Sequence, residues 1–463
     1  MLGDGFSIVN EVNINGICKH IYIMYRIYFK QAWNLIRQEK LFSLIYILGT
    51  GLSVAMVMVL SIIFYVRIAN VYPETNRSRT LVVKSAQMKA KIEGEGSSSS
   101  ALSEKLINTC ITPVKGIEAL ALILDYDVES NLVQPVGTNE QLPITSKFVN
   151  TGFWKVYNFR FLEGNPFTEA DFQSGIPTAV ISESLAKRLF GSVRGVVGKY
   201  VSKDFRQYRV CGVVKDASAV TGISYAQMWI PYTANKMYAD KTDQNATWNE
   251  DGTLGHYKAF ILVASSADMA KIKATVEANV IRYSKTLKKF NLTLMGQPDY
   301  WWQSTFRLWS NEGPDFKKLS IQYGLIFLIL LMVPAVSLSG MTDSRMERRL
   351  AEMGVRRAFG APVGRLMNQI FAENFLFTFL GGIFGLLLSY SIILLCSSWI
   401  MSIGQGFVNL LPDGENTVFT PSMLMNWRVF FIALIICFVL NMLSAMIPAW
   451  RAAHRPIVDS INV

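Results

Sequence analysis

LFSLIYILGTGLSVAMVMVLSIIFYVRIA, residues 41–69, carries no charged side chain until Arg67. An apolar run longer than the roughly 20 residues that cross a bilayer as a helix reads as a membrane span. The run starts far from Met1 and is too long for a signal-peptide core, so it is expected to remain as an anchor. Three further runs, residues 319–341, 366–400 and 429–450, have the same character. The 463 residues are 51% hydrophobic, and the apolar residues are densest in these runs, separated by soluble-looking sequence. The pattern predicts four spans plus one folded aqueous domain.

The loops orient the spans. Residues 1–40, an amphipathic arm, carry Lys19, Arg26, Lys30, Arg37 and Lys40. Residues 342–365 carry Arg345, Arg348, Arg349, Arg356, Arg357 and Arg365, and the tail 451–463 carries Arg451 and Arg455. The loop 401–426 has neither Lys nor Arg, only Asp413 and Glu415. Basic loops stay on the cytoplasmic side. Both termini are therefore expected inside and residues 70–315 outside. The net charge of +11 is explained by orientation rather than by nucleic-acid binding.

Residues 70–315 read as mixed α/β. Thr80–Ser85, Ala179–Ile181 and Tyr257–Val263 are expected strands, and Gly94–Ser100 a Gly/Ser turn. Ser182 suits the N-cap of a helix ending at Gly191, Thr168 and Asp171 suit a capping box, and a long helix is expected from Asp268 to Lys285. The region offers no His/Glu metal pair at helical spacing and no Gly-x-Ser-x-Gly elbow, so no catalytic residue and no metal site is assigned. Asp125 and Asp127 would share a strand face, read as solvated rather than as a catalytic pair. Trp301, Trp302, Phe306 and Trp309, just before the second span, read as interfacial aromatics, with a binding platform as the alternative. Cys110 and Cys211 read as free thiols, with a disulfide as the alternative.

In the loop GMTDSRMERRLAEMGVRRAFGAP, residues 340–362, Met346, Leu350 and Met353 recur at helical spacing. Arg348/Glu352 and Glu352/Arg356 are i,i+4 pairs, and Gly360-Ala-Pro362 interrupts the helix. On physics alone this is an interfacial anchor.

A resemblance extends that reading. Residues 348–388, with EMGVRRAFG at 352–360, Glu373 and Gly381-Gly382, resemble the FtsX/MacB-type permease domain of ABC transporters, and IPAWRAA at 447–453 resembles its closing motif. FWKVY at 153–157, LEG at 162–164, VIS at 180–182, AKRLF at 186–190, Gly198 and VCGVV at 210–214 resemble the MacB-like periplasmic core domain. The resemblance implies an all-α four-helix membrane permease. A mixed α/β extracytoplasmic domain with Porter- and Sabre-like lobes, the Sabre near 148–214, would sit between the first two helices, in a bacterial inner membrane. It implies that the cytoplasmic loop couples to a separate ABC ATPase through Arg348, Arg349, Glu352, Gly354, Arg356, Arg357, Ala358 and Gly360. No Gly-x-x-x-x-Gly-Lys-Ser/Thr loop occurs, so the chain is expected not to be an enzyme by itself. No cofactor is expected on it directly, with ATP and Mg held by the partner.

A second copy or a paralogue is implied, and a periplasmic adaptor and outer-membrane channel are further expected partners. The spans show no ionisable group at mid-membrane, which favours mechanotransmission over a hydrophilic path, for export of a peptide, drug or lipoprotein. Two alternatives stand beside this: an FtsX-like regulator of a cell-wall hydrolase, and a receptor-like binding module without ATPase. For assembly, first spans of two copies are expected to meet through Gly49, Gly51 and Ser53. Gly381 and Gly385 offer a second small-residue surface, and packing within one subunit is the other use of all these residues.

Overall fold

A computed structural model describes residues 26, 30–31, 33–34, 36–92, 96–125, 132–135, 137, 141–235, 249–307, 309, 312–330, 332, 355–356, 358–360, 362–396 and 427–454. It falls into two compact units. One takes the described chain up to Ile63 and again from Lys317 onward; the other runs from Phe64 to Phe316.

The first unit is helical. Helices Lys40–Ile68 and Val363–Leu395 are long and apolar enough to cross a membrane. Residues 316–330 and the helix Trp427–His454 cover described parts of the second and fourth expected spans. Small residues let the first and third of these helices approach closely. A Cβ added at Gly385 would lie 2.5 Å from the Gly51 carbonyl oxygen, and one at Gly381 would lie 2.8 Å from Thr50 Cβ. A Cβ at Gly51 would meet Phe384 Cδ1 at 2.5 Å. Gly51, Gly381 and Gly385 thus face one another's helices within this chain. Ser53 is buried as well, its hydroxyl donating to the Gly49 carbonyl of its own helix at 2.9 Å. Packing within the subunit therefore takes up most of the surface expected to face a second copy.

The second unit is built on one continuous mixed sheet. Its central strand, Tyr257–Val263, pairs antiparallel with Ile117–Leu124 on one side and Thr80–Val83 on the other. Farther out, Ser146–Val149 runs parallel to Met228–Pro231, and Thr178–Ser182 parallel to Arg206–Val214. The helix Met269–Thr286 buries Met269, Ile272, Val276, Val280 and Tyr283, a three- and four-residue spacing that gives one apolar stripe.

Local signals hold where the physics is local. Ser182 accepts from the Leu185 amide, and Gly191 ends that helix at φ 69°. The Thr168/Asp171 capping box is formed. Cys110 and Cys211 are free, and burial pushes their thiols up to about 11 and about 12. Asp125 forms an ion pair with Lys258; Asp127 lies outside the described residues. The expected Gly/Ser turn is a different matter. Ser97–Leu102 is a strand, paired with Ala86–Ala90 through its backbone and held at one end by buried Ala101 and Leu102.

Gly152 opens the short helix Phe153–Val156, and an added Cβ would sit 2.0 Å from the Leu120 carbonyl oxygen of a neighbouring strand. Gly152→Ala is therefore expected to destabilise the second unit by about 1–3 kcal/mol, the cost of forcing atoms into a packed core. A thermal melt of the purified chain unchanged by this variant would contradict the packing.

Candidate functional site

An α-helix leaves its last carbonyls without partners inside the helix. At the end of Lys40–Ile68 a single side chain takes two of them. Arg77 Nη1 donates to the Ala69 oxygen at 2.7 Å and to the Val66 oxygen. Its Nε donates to Glu74 Oε2 at 2.7 Å, and the guanidinium lies 5.0 Å from the centre of the Trp301 ring. The Trp301 indole N–H in turn donates to the Arg67 oxygen at 3.0 Å. Glu74 is fully buried, and its other oxygen accepts from the Ser224 amide at 2.9 Å and hydroxyl at 2.7 Å. The Ser224 carbonyl accepts from the Trp229 indole at 3.1 Å, and that ring packs on Phe159 and Trp154.

A second buried arginine holds the other end of the unit. Arg307 makes a two-pronged contact with Asp299, Nε to Oδ2 at 2.6 Å and Nη2 to Oδ1 at 3.1 Å. Its remaining N–H groups donate to the Glu312 oxygen at 2.6 Å and the Met295 oxygen at 3.2 Å. The two anchors share a ladder. Asp299–Tyr300 pairs antiparallel with Thr80–Val83, Leu81 opposite Tyr300 and Val82 opposite Asp299. Thr80–Val83 begins directly after the turn that carries Arg77, and Trp301 directly follows Tyr300.

Charge-assisted hydrogen bonds of this kind are short and directional. What they build is a joint: the backbone entering the unit and the backbone leaving it are both held close to one strand pair.

Beside the joint, the Lys84 amine donates to the Ser304 oxygen at 2.8 Å. Burial, with the like charge of Lys258, pushes it down to about 8.

The sequence assigned none of these roles. Trp301, expected at a membrane interface, is buried in the joint, because its indole has a carbonyl to serve and a cation to cover. Trp302 and Trp309 are exposed. Glu74 and Arg77 carry the one readable signal, opposite charges three residues apart just past a span; Asp299 and Arg307, eight residues apart, show no such spacing. Of the expected coupling residues, Arg348, Arg349, Glu352, Gly354 and Arg357 lie outside the described residues. Arg356 is half-buried, and Ala358 and Gly360 are exposed. Gly360 has φ 84°, a left-handed conformation that glycine tolerates best. Glu373 is buried in the apolar helix Val363–Leu395, nearer its first residue than its last.

Residues 43–279 match the MacB-like periplasmic core domain, and residues 324–457 match the FtsX-like permease C-terminal domain. The chain belongs to the MacB/FtsX family of ABC transporter permeases. Among relatives, this permease is 20% identical to the uncharacterized ABC transporter permease YknZ of Bacillus subtilis, over 76% of this chain and 78% of YknZ. It is 25% identical to the pyoverdine export ATP-binding/permease protein PvdT of Pseudomonas aeruginosa, over 55% of this chain, and spans only 35% of PvdT's length. The solved periplasmic region of MacB from Actinobacillus actinomycetemcomitans covers 53% of the permease and 92% of its own chain, at 15% identity and a TM-score of 0.33.

Arg77→Ala in the permease would leave Glu74 buried without its cation, and breaking a buried pair costs about 3–5 kcal/mol. A melting temperature close to wild type would show that the pair does not hold the joint. Lys84 gives a pH signature. Unfolded, its amine holds a proton up to 10.5; folded, only up to about 8. Between these values the unfolded chain binds more protons, so stability is expected to rise with pH across that window. Melts of wild type against Lys84→Met should show this slope in wild type and lose it in the variant.

Proposed function

We propose that the permease couples ATP hydrolysis by a separate cytoplasmic ATPase to conformational work in the periplasm, exporting a peptide, drug or lipoprotein by mechanotransmission. The observation that carries this reading is the joint itself. Arg77 and Arg307 tie both ends of the unit that runs from Phe64 to Phe316 to a single strand pair, Thr80–Val83 with Asp299–Tyr300. A joint of that kind suits pulling or twisting of a domain rather than passage of a solute. That PvdT is named as an export protein supports the export direction.

In this proposal the permease crosses a bacterial inner membrane four times with both termini inside. ATP and Mg are held by the partner, which contacts the loop containing Arg348, Arg349, Glu352, Gly354, Arg356, Arg357, Ala358 and Gly360. A periplasmic adaptor and outer-membrane channel receive the work. A second copy or a paralogue completes the assembly. Because Gly51, Gly381, Gly385 and Ser53 are covered, its contact with the first span falls on the exposed face of Leu44, Leu48, Leu52 and Met56, with Gly49 at the margin.

Two measurements test the reading. In right-side-out vesicles, Ser99→Cys is expected to react with a membrane-impermeant maleimide, and Ala358→Cys only after permeabilisation; the reverse pattern refutes the topology. The purified permease alone is expected to hydrolyse no ATP, and to copurify with an ATPase from its own cells. Gly360→Leu, which forces a side chain into a left-handed backbone, should weaken that association about tenfold, equivalent to about 1.4 kcal/mol. An undiminished association rules out the assigned loop contact.

A further inference from the structure

One face of the helix Val363–Leu395 is polar although the helix is apolar as a whole. Gln369, Glu373, Asn374 and Thr378 are 7%, 1%, 3% and 1% exposed. Buried polar groups persist in an apolar medium only when partnered, and Asn374 and Thr378 have partners on two other helices. The Tyr46 hydroxyl donates to Asn374 Oδ1 at 3.1 Å. Asn441 Nδ2 donates to Thr378 Oγ1 at 3.2 Å and to Thr50 Oγ1 at 3.4 Å. At the other end of the series, Gln369 Nε2 donates to Glu373 Oε1 at 3.0 Å. Gln369 Oε1 accepts from Arg356 Nη1 at 2.9 Å. Only one orientation of the Gln369 amide satisfies a cation on one side and a carboxylate on the other. From Gln369 to Thr378 the series extends about 13 Å along the helix axis, at 1.5 Å per residue.

We infer that Arg356 is a positioning residue: it faces inward, and through Gln369 and Glu373 it ties the turn at 355–360 to the polar seam between the helices. The family resemblance implies that Arg356 couples to a separate ATPase. Here its Nη1 is engaged within the chain, and the described turn exposes Val355, Ala358 and Phe359, with Val355 and Phe359 46% and 89% accessible. A push on that exposed turn is delivered through Arg356 to a side chain one bond away from a buried carboxylate. The consequence for transport rests on the coupling proposed above; the link itself is a property of this chain alone.

The test is hydrogen–deuterium exchange on the full chain in lipid nanodiscs, for wild type, Arg356→Gln, Gln369→Leu and the double variant. Loss of a hydrogen bond to a charged group should open the amides of 355–360 about tenfold faster in either single variant. The double variant should add nothing further, since both changes cut the same link. Unchanged exchange in Arg356→Gln, or additive effects in the double variant, overturns the inference. Should Gln369→Leu fail to assemble, Arg356→Gln at the half-exposed end decides alone. The copurified ATPase, added with nucleotide, provides a separate readout. If it binds wild type and changes protection of 363–395, both single variants should lose that change while still binding. A wild-type chain with no ATPase partner would refute the coupling proposal and leave the exchange result to judge the link.

Discussion

The structure of the unit from Phe64 to Phe316 depends on how Arg77 disposes of its charge. Burying a guanidinium costs several kcal/mol, recovered only with a good counter-ion and a partner for each remaining N–H. Glu74 supplies the counter-ion, and the carbonyls left over at the end of the first long helix take the rest. Each component thereby satisfies a need of another: the helix end needs donors, the arginine needs acceptors, and the carboxylate needs a cation and finds the Ser224 amide and hydroxyl besides. Removing Arg77 takes that donor from the Val66 and Ala69 carbonyls and from one Glu74 oxygen at once.

Two kinds of force divide the work around this cluster. Trp229, Trp154, Phe153 and Phe159 pack against one another, mostly edge to face, and supply much of the apolar burial nearby. A large apolar side chain contributes about 1.5–3 kcal/mol when fully buried, but without direction. The arginine contacts add less net stability and set the geometry, because charge-assisted bonds hold narrow distances and angles. Arg307 repeats the device at the other end with Asp299 and the backbone of Glu312. The strand pair between the two anchors makes them one body.

The helical unit solves a different problem. Among apolar helices in lipid, burial of apolar surface supplies no preference for one neighbour over another, so contact geometry is set by small residues and by polar pairs. Gly381 and Gly385 bring the third helix onto Thr50, Gly51 and Val54. Asn374 and Asn441 then fix the helices through Tyr46, Thr50 and Thr378. Glycine pairing and the polar seam lie on the same faces, so close approach and hydrogen bonding reinforce each other.

The sequence by itself determined whatever depends on neighbours along the chain. The apolar runs, the basic loops, the Ser182 cap, the Thr168/Asp171 box and the Gly191 terminus are all legible, because each is decided within a few residues. The motifs at 153–214 and 348–388 pointed to the family for the same reason. The strand at Ser97–Leu102 was not legible, since serines carry little strand preference and the pairing is made by backbone groups of Ala86–Ala90. Nor was the joint. Glu74 meets Ser224 across 150 residues and Trp301 meets Arg67 across 234, and no periodicity links positions so far apart. Whether a small residue or an arginine serves its own chain or a partner was likewise decided only in three dimensions. Gly51 and Arg356 each had two plausible uses in the sequence, and tertiary packing assigned both of them inward because groups of the same chain lay within contact distance.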